Sequence, residues 1–132
     1  MTSAHARADR FAAALRHLED TGDSSRLREL FAPDPELVRP EVATGDEHAG
    51  DVTRFWEKYR SPFSEITTEF IRVAESGGLG VLEWVSHGTL TSGSPIEYRG
   101  VSLLYFDDEG RIHRFATYFD TAAFLRPETP NK

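Results

Sequence analysis

The spacing of apolar residues divides the chain into a helical first half and an extended second half. Apolar residues first recur every three or four positions, which predicts helices over residues 4–20 and 51–60. A shorter helix between them carries Leu27, Leu30 and Phe31 and is expected to stop at two prolines. After Ser64 the apolar period changes to two. Four strands are therefore predicted, over residues 65–75, 80–91, 96–107 and 111–119.

Short turns rich in glycine and serine separate these strands, so neighbouring strands should be antiparallel. A further short strand is expected at residues 37–39, and Asp120 is expected to cap a short last helix. Three helices followed by an antiparallel sheet predict the α+β class, with the helices on one face of the sheet.

Alternation along the strands predicts which side chains face the helices. In residues 80–91 the even positions carry Trp84 and are otherwise apolar or small, so this face should point inward. A two-residue turn at Asp108-Glu109 would place Phe115 opposite Ser102 and give His113 the same inward parity. The expected inner face comprises Tyr98, Ser102, Leu104, Phe106, Phe115, Thr117 and Phe119. For residues 65–75 the parity stays ambiguous, because both faces are mixed.

The opposite face of the sheet is too apolar for a plain solvent surface. It is predicted to carry Val81, Val85, Val101, Leu103, Tyr105, Ile112, Ala116 and Tyr118. One interpretation is a partly covered sheet, and the other is a homodimer formed through this outer face. We expect the homodimer.

Length, composition and charge narrow the classes of function. The 132 residues fit a single domain over 1–132, with 126–132 as a loose tail. There is no cysteine, which excludes disulfides and thiolate metal sites and fits a cytoplasmic location. No histidine spacing indicates a metal site, and we expect no cofactor. The charge of -7 with scattered arginines argues against nucleic acid as a partner, and the longest apolar run is too short for a membrane span.

Several segments in order resemble a known family. They are LFAPD after the second helix, VLEW, GVSLLYFDDEGRI and YFD-TA near the end. Over about residues 8–125 this order is similar to the nuclear transport factor 2-like superfamily, and within it to the SnoaL-like and ketosteroid isomerase-like branch. The resemblance implies a cone, in which a strongly curved antiparallel sheet and three N-terminal helices enclose a pocket. Members of this superfamily include isomerases, polyketide cyclases, epoxide hydrolases and non-catalytic binding proteins, so the resemblance does not identify one reaction.

The catalytic residues that the resemblance implies are not retained. The positions of the ketosteroid isomerase tyrosine, base and second aspartate correspond to Leu15, Arg39 and Ser102. The inward aspartate of polyketide cyclases and epoxide hydrolases corresponds to Thr117. This protein is therefore expected to lack the acid and base with which those relatives catalyse their reactions.

Two residues remain as catalytic candidates. Arg39 could hold a carboxylate or an enolate through its fork of donors, or it could be an exposed arginine at the sheet edge. His113 could act as an acid or base near neutral pH, or it could be a core or rim histidine bonded to backbone. His48 lies in a polar loop, where capping a helix is the alternative to a place at the pocket rim.

The sequence therefore predicts a pocket for a small, mostly apolar ligand. Its expected lining is Leu15, Arg39, Trp56, Trp84, Ser86, Ser102, Leu104, Phe115, Thr117 and Phe119. Two hypotheses stay open: a cofactor-free isomerase, cyclase or hydrolase, and a non-catalytic ligand-binding or protein-interaction domain. A titratable group with a shifted pKa inside the pocket would favour the enzyme.

Overall fold

The structure, a computed structural model, describes residues 6–40 and 51–125. The helices are α1 (Ala6–Thr21), α2 (Ser25–Glu29), α3 (Val52–Arg60) and α4 (Ala122–Leu125). The strands are β1 (Phe31–Val38), β2 (Phe63–Ser76), β3 (Leu79–Leu90), β4 (Pro95–Phe106) and β5 (Ile112–Phe119). The predictions for His48 and for the tail at 126–132 fall outside the described residues.

The strands form one open sheet in the order β1-β5-β4-β3-β2. The pairs β2–β3, β3–β4 and β4–β5 are antiparallel, as predicted, whereas β1 pairs with β5 in parallel. The predicted α+β class is confirmed. Its five strands are the four predicted long strands and the predicted short strand, which begins at Phe31 instead of residue 37.

The prediction that Phe31 belongs to the second helix is wrong. Helix α2 ends at Glu29, and Phe31 already begins β1. Pro33 and Pro35 cannot donate the backbone hydrogen bonds of a helix, and an edge strand tolerates them. Between Phe31 and Glu36 the register with β5 shifts, which accommodates the prolines in the strand.

Two irregularities explain why the parity of β2 was ambiguous in the sequence. The register with β3 shifts between Phe63 and Glu65 and again between Phe70 and Arg72. Each extra residue reverses which parity faces inward, because side chains alternate along a strand. The strand therefore carries no single alternating pattern.

The β4–β5 hairpin differs from the predicted register by two residues. Ser102 pairs with Thr117, and Leu104 pairs with Phe115. The turn is longer than expected because it runs from Asp107 to Arg111, where the Asp107 backbone N donates to Arg111 O at 2.7 Å. The inward parity of the last strand holds for Phe115 and Thr117, which are both buried.

At the start of β5 the predicted parity fails. The register shifts between Tyr105 and Phe106, so that Phe106 pairs with Ile112 and Tyr105 with Arg114. His113 is the extra residue of this bulge and is exposed, while Ile112 is 1% exposed. The predictions that His113 faces inward and that Ile112 lies on the outer face are therefore wrong.

Two apolar clusters fill the space between the helices and the sheet. The larger one joins α1 and α3 to the sheet around Trp56 and Phe115. The smaller one lies around Phe63, Trp84 and Tyr98 and contacts α4. Tyr59 and Phe70 pack against both clusters, so the boundary between them lies beside these two rings.

Candidate ligand cavity and a buried carboxylate

A cavity of about 200 Å³ lies where the two apolar clusters meet. Aromatic rings form much of its wall, namely Phe11, Phe55, Trp56, Phe63, Phe70 and Phe115. By comparison, an apolar cavity of about 150 Å³ holds one benzene molecule. The cavity therefore has room for a substituted single ring or a compact pair of fused rings.

The structure brings nearly all of the predicted pocket residues together around this cavity. Those at its wall are Leu15, Arg39, Trp56, Trp84, Ser86, Ser102, Phe115, Thr117 and Phe119. Leu104 is not at the wall. It shares the inward face but is fully buried beside Gly80, within the larger apolar cluster. Whether a ligand binds here stays a prediction.

The two catalytic candidates have different surroundings. Arg39 follows β1, is half-buried at the cavity wall, and its guanidinium lies over the ring of Phe55 at 5.6 Å. His113 is exposed, and its ring lies 6.5 Å from that of Tyr105. Only Arg39 is placed to contact an occupant of the cavity.

Sequence reasoning missed a buried carboxylate. Glu19, on α1, is 5% exposed. Its Oε1 accepts a hydrogen bond from Thr68 N at 3.0 Å. Its Oε2 accepts from Thr68 Oγ1 at 2.5 Å and from the Tyr59 hydroxyl at 2.7 Å. Glu19 follows Leu15 by four residues, so its place on the apolar stripe of α1 was a signal of burial that could have been used.

Hydroxyl groups connect this carboxylate to the cavity. Thr68 Oγ1 lies 2.6 Å from Ser86 Oγ, and the Tyr98 hydroxyl interacts with Ser86 and Tyr59. Thr68, Ser86, Tyr59 and Tyr98 all line the cavity. Glu19 itself stands behind them and reaches the cavity only through these groups.

Burial sets the direction of the pKa shifts in this cluster. It raises the pKa of Glu19, and the hydrogen bonds from Thr68 and Tyr59 oppose that rise only in part. Burial also raises the pKa of Tyr59 and of Tyr98, and the charge of Glu19 adds to both shifts. The two phenols therefore stay protonated at neutral pH and are hydrogen-bond donors.

A second series of polar side chains crosses β3, β4 and β5 at the cavity wall. Trp84 Nε1 donates to Ser102 Oγ at 2.9 Å, and Ser102 Oγ lies 2.9 Å from Thr117 Oγ1. Gly100 lies opposite Trp84, and a Cβ there would lie 2.8 Å from Cζ2 of the indole. Glycine thus gives the ring room to lie against β4. Trp84, Ser102 and Thr117 carry no group that ionises near neutral pH. They can position a ligand but cannot exchange a proton with it.

One donor at the wall has no partner within the described residues. Trp56 is 3% exposed, and its Nε1 makes no hydrogen bond there. A buried N–H without an acceptor costs roughly 1–3 kcal/mol.

Two further observations concern residues 6–40 and 51–125 only. In these ranges no group of three or more His, Cys, Asp or Glu residues could hold a metal ion. No helix within them is long and apolar enough to cross a membrane.

Solved structures share this architecture. Wild-type IdmH, a candidate polyketide cyclase from Streptomyces antibioticus, is 26% identical, with 92% of this chain and 96% of that chain covered and a TM-score of 0.71. An NTF2-like protein of unknown function from Burkholderia pseudomallei is 21% identical, with 96% and 97% covered and a TM-score of 0.75. AclR, a candidate hydroxylase from Streptomyces galilaeus, is 16% identical, with 96% and 83% covered and a TM-score of 0.72. No curated protein matches the chain.

The family assignment rests on the sequence as well as on the fold. The profile of the SnoaL-like domain matches residues 8–115, which is most of the chain. The open five-stranded sheet and its helices agree with the fold of the NTF2-like neighbours. The protein belongs to the SnoaL-like family of the NTF2-like superfamily.

Proposed function

We propose that this protein binds a small, mostly apolar molecule that carries an oxygen group, in the cavity between the helices and the sheet. The observation that carries the proposal is an aromatic-lined cavity of about 200 Å³ with few polar groups directed to it. Cavities of this kind take ligands whose body is apolar and whose orientation is fixed by a few hydrogen bonds.

The polar groups at the wall favour an oxygen acceptor on the ligand. Arg39 adds a positive charge at the wall, and Ser86 and Tyr98 add hydroxyl groups. A carbonyl, enol or phenol oxygen suits a guanidinium, which donates hydrogen bonds, and hydroxyl groups, which can donate or accept. A pure hydrocarbon would make no hydrogen bond to these groups.

Cofactor-free isomerisation, cyclisation or hydrolysis is the class of reaction that we propose for this cavity. The likeness to IdmH, a candidate polyketide cyclase, supports it. The alternative is a non-catalytic ligand-binding or protein-interaction domain. Thr117 favours that alternative, because it stands where polyketide cyclases and epoxide hydrolases have an aspartate and its hydroxyl is a poor base near neutral pH.

Calorimetric titration with 1-tetralone, a compact bicyclic ketone, tests the binding proposal. We expect saturable binding with a negative heat-capacity change, the mark of apolar burial. Tetralin, the same molecule without the carbonyl, should bind about 2- to 10-fold more weakly, since a net hydrogen bond contributes about 0.5–1.5 kcal/mol. Ligand at about 100 times its Kd should raise the free energy of unfolding by about 2.7 kcal/mol. No binding of either compound at millimolar concentration would contradict the proposal.

We also propose that the outer face of the sheet forms a homodimer. Ile71 and Tyr118 are 54% and 45% exposed there. They line a groove together with Val81, Val101 and the charged side chains of Arg72, Glu83 and Arg99. Apolar residues grouped on one face support association. Light scattering at micromolar concentration should give about twice the chain mass of 14.8 kDa. The mass of a single chain would contradict this, and Val101→Glu should produce that mass if the interface is correct.

A further inference from the structure

The buried carboxylate of Glu19 has an unusual set of partners. Within the described residues, no ion pair includes Glu19, and its partners are the Thr68 backbone, the Thr68 hydroxyl and the Tyr59 hydroxyl. A buried charge without a countercharge is costly, and replacing it by an apolar residue often stabilises a protein. If the cluster only held α1 against β2 and α3, apolar residues would do so at a lower cost in free energy.

The hydrogen bonds around Glu19 have one direction. An ionised carboxylate can only accept, so the Thr68 and Tyr59 hydroxyls donate to it. With its proton used in this way, Thr68 Oγ1 must accept from Ser86 Oγ, at 2.6 Å. Ser86 Oγ can then accept at the cavity wall, where the Tyr98 hydroxyl also interacts with it. Each hydroxyl in this series of hydrogen bonds therefore directs its proton toward Glu19 or toward a group that donates to Glu19.

The distribution of charge favours such a movement when a ligand is bound. The negative charge on Glu19 is desolvated, whereas Arg39 lies at the cavity wall. Arg39 acts electrostatically on the Tyr98 hydroxyl, so an anionic ligand oxygen beside that hydroxyl would be within reach of the cation. Moving one proton from the ligand to Glu19 therefore transfers the negative charge from an unpaired buried site toward a guanidinium.

We propose that Glu19 accepts the proton of an acidic hydroxyl group, an enol or a phenol, on the ligand in the cavity. In one branch the ligand O–H bond breaks and its proton goes to Ser86 Oγ, the Ser86 proton to Thr68 Oγ1, and the Thr68 proton to Glu19 Oε2. In the other branch Tyr59 takes the ligand proton and gives its own to Glu19. The ligand is left as an oxyanion, Glu19 becomes neutral, and the total charge is unchanged.

This inference rests on the proposed function, because a ligand must occupy the cavity, and it makes Glu19 a positioning residue that acts through Thr68, Ser86 and Tyr59. The groups that act on Glu19 from its surroundings are Asp20 on α1, Tyr59 on α3 and Thr68 on β2, with Tyr98 of β4 interacting from beyond Ser86. Glu19 can accept a proton only while it is ionised. The relay should therefore work above the pKa of Glu19 and fail as the pH falls through that value.

The experiment follows the proton of 4-nitrophenol, a single-ring phenol whose neutral and ionised forms absorb at different wavelengths. The pH is set below the pKa of the free probe and above that of Glu19. Absorbance reports the ionised fraction of bound probe, and calorimetry in buffers of different ionisation enthalpy counts protons released to solvent. In the wild type we expect bound phenolate with no net proton release. Infrared difference spectra should show the carbonyl stretch of a newly protonated carboxyl group.

Glu19→Gln is the test variant, and Glu57→Gln, which removes an exposed carboxylate on α3, is its matched control. Glu19→Gln should bind the probe as neutral phenol, or as phenolate with about one proton released, while Glu57→Gln should behave like the wild type. Release of about one proton per phenolate by the wild type, or bound probe that stays neutral, would overturn the relay alone. Absence of probe binding would overturn the proposed function and the relay with it. The wild-type measurements decide the matter even if Glu19→Gln does not fold.

Discussion

Replacing Phe115 with alanine is expected to lower the free energy of unfolding by about 3–5 kcal/mol. Phe115 is 2% exposed, and its ring centroid lies 5.3 Å from that of Trp56 and 5.5 Å from that of Phe11. The rings of Phe55 and Phe31 lie at 5.8 Å and 6.3 Å. Truncation removes the transfer free energy of one large ring and the contacts of that ring with four others.

Urea denaturation at neutral pH measures this loss, with an unchanged m-value as the sign that the same folded state unfolds. His113→Ala is the control on the same strand, and it should change stability by no more than about 0.5 kcal/mol because His113 is exposed. A loss below about 1 kcal/mol for Phe115→Ala would show that this ring is not part of a closely packed core.

Ser102→Trp is expected to weaken the binding of 1-tetralone by more than about 100-fold, that is by more than about 2.8 kcal/mol. Ser102 is 4% exposed and stands at the cavity wall between Trp84 and Thr117. An indole at this position would occupy space that the ligand needs, without altering the charge of the site. Overpacking should also cost about 1–3 kcal/mol of stability.

The matched control is Ser92→Trp, which places the same ring in an exposed turn and should leave binding unchanged. Thr117→Val removes a hydroxyl without adding bulk and should change the affinity by less than about 10-fold. Near-UV circular dichroism verifies that each variant is folded. If Ser102→Trp binds 1-tetralone as well as the wild type, the ligand site lies elsewhere.

The parts of the fold that the sequence predicts well are those with an uninterrupted period. In the middle of β3 the alternation of Leu82, Trp84 and Ser86 continues without a bulge, and all three side chains are buried as expected. The same holds from Phe115 to Thr117 in β5. Because a strand of regular pleat keeps its parity, a few correct inward residues were enough to bring together most of the cavity wall.

The errors arise where the backbone departs from regular pairing. One extra residue in β5, opposite Tyr105 and Phe106 of β4, reverses the parity of the side chains at the start of β5. His113 therefore lies outside and Ile112 inside. Nothing in the local composition marks this bulge, because a bulge satisfies the geometry of the whole sheet and not a preference of its own residues.

Glu19 shows a different limit of sequence reasoning. Its helical position indicates burial, but its partners are remote: Tyr59 is 40 residues away and Thr68 is 49 residues away. Only the packing of α1 against α3 and β2 brings these groups together. A carboxylate on an apolar helix face is therefore a sound reason to expect a polar cluster, but its members cannot be named beforehand.

The cavity wall is dispersed along the chain, from Phe11 on α1 to Phe124 on α4, with many of its side chains on regular strands. A substitution at any such position alters the shape or polarity of the chamber while the backbone that carries it stays the same. Selectivity can therefore diverge during evolution one side chain at a time, with no loop to be rebuilt. A candidate cyclase and a candidate hydroxylase share this fold, as expected of a frame that can carry different sites.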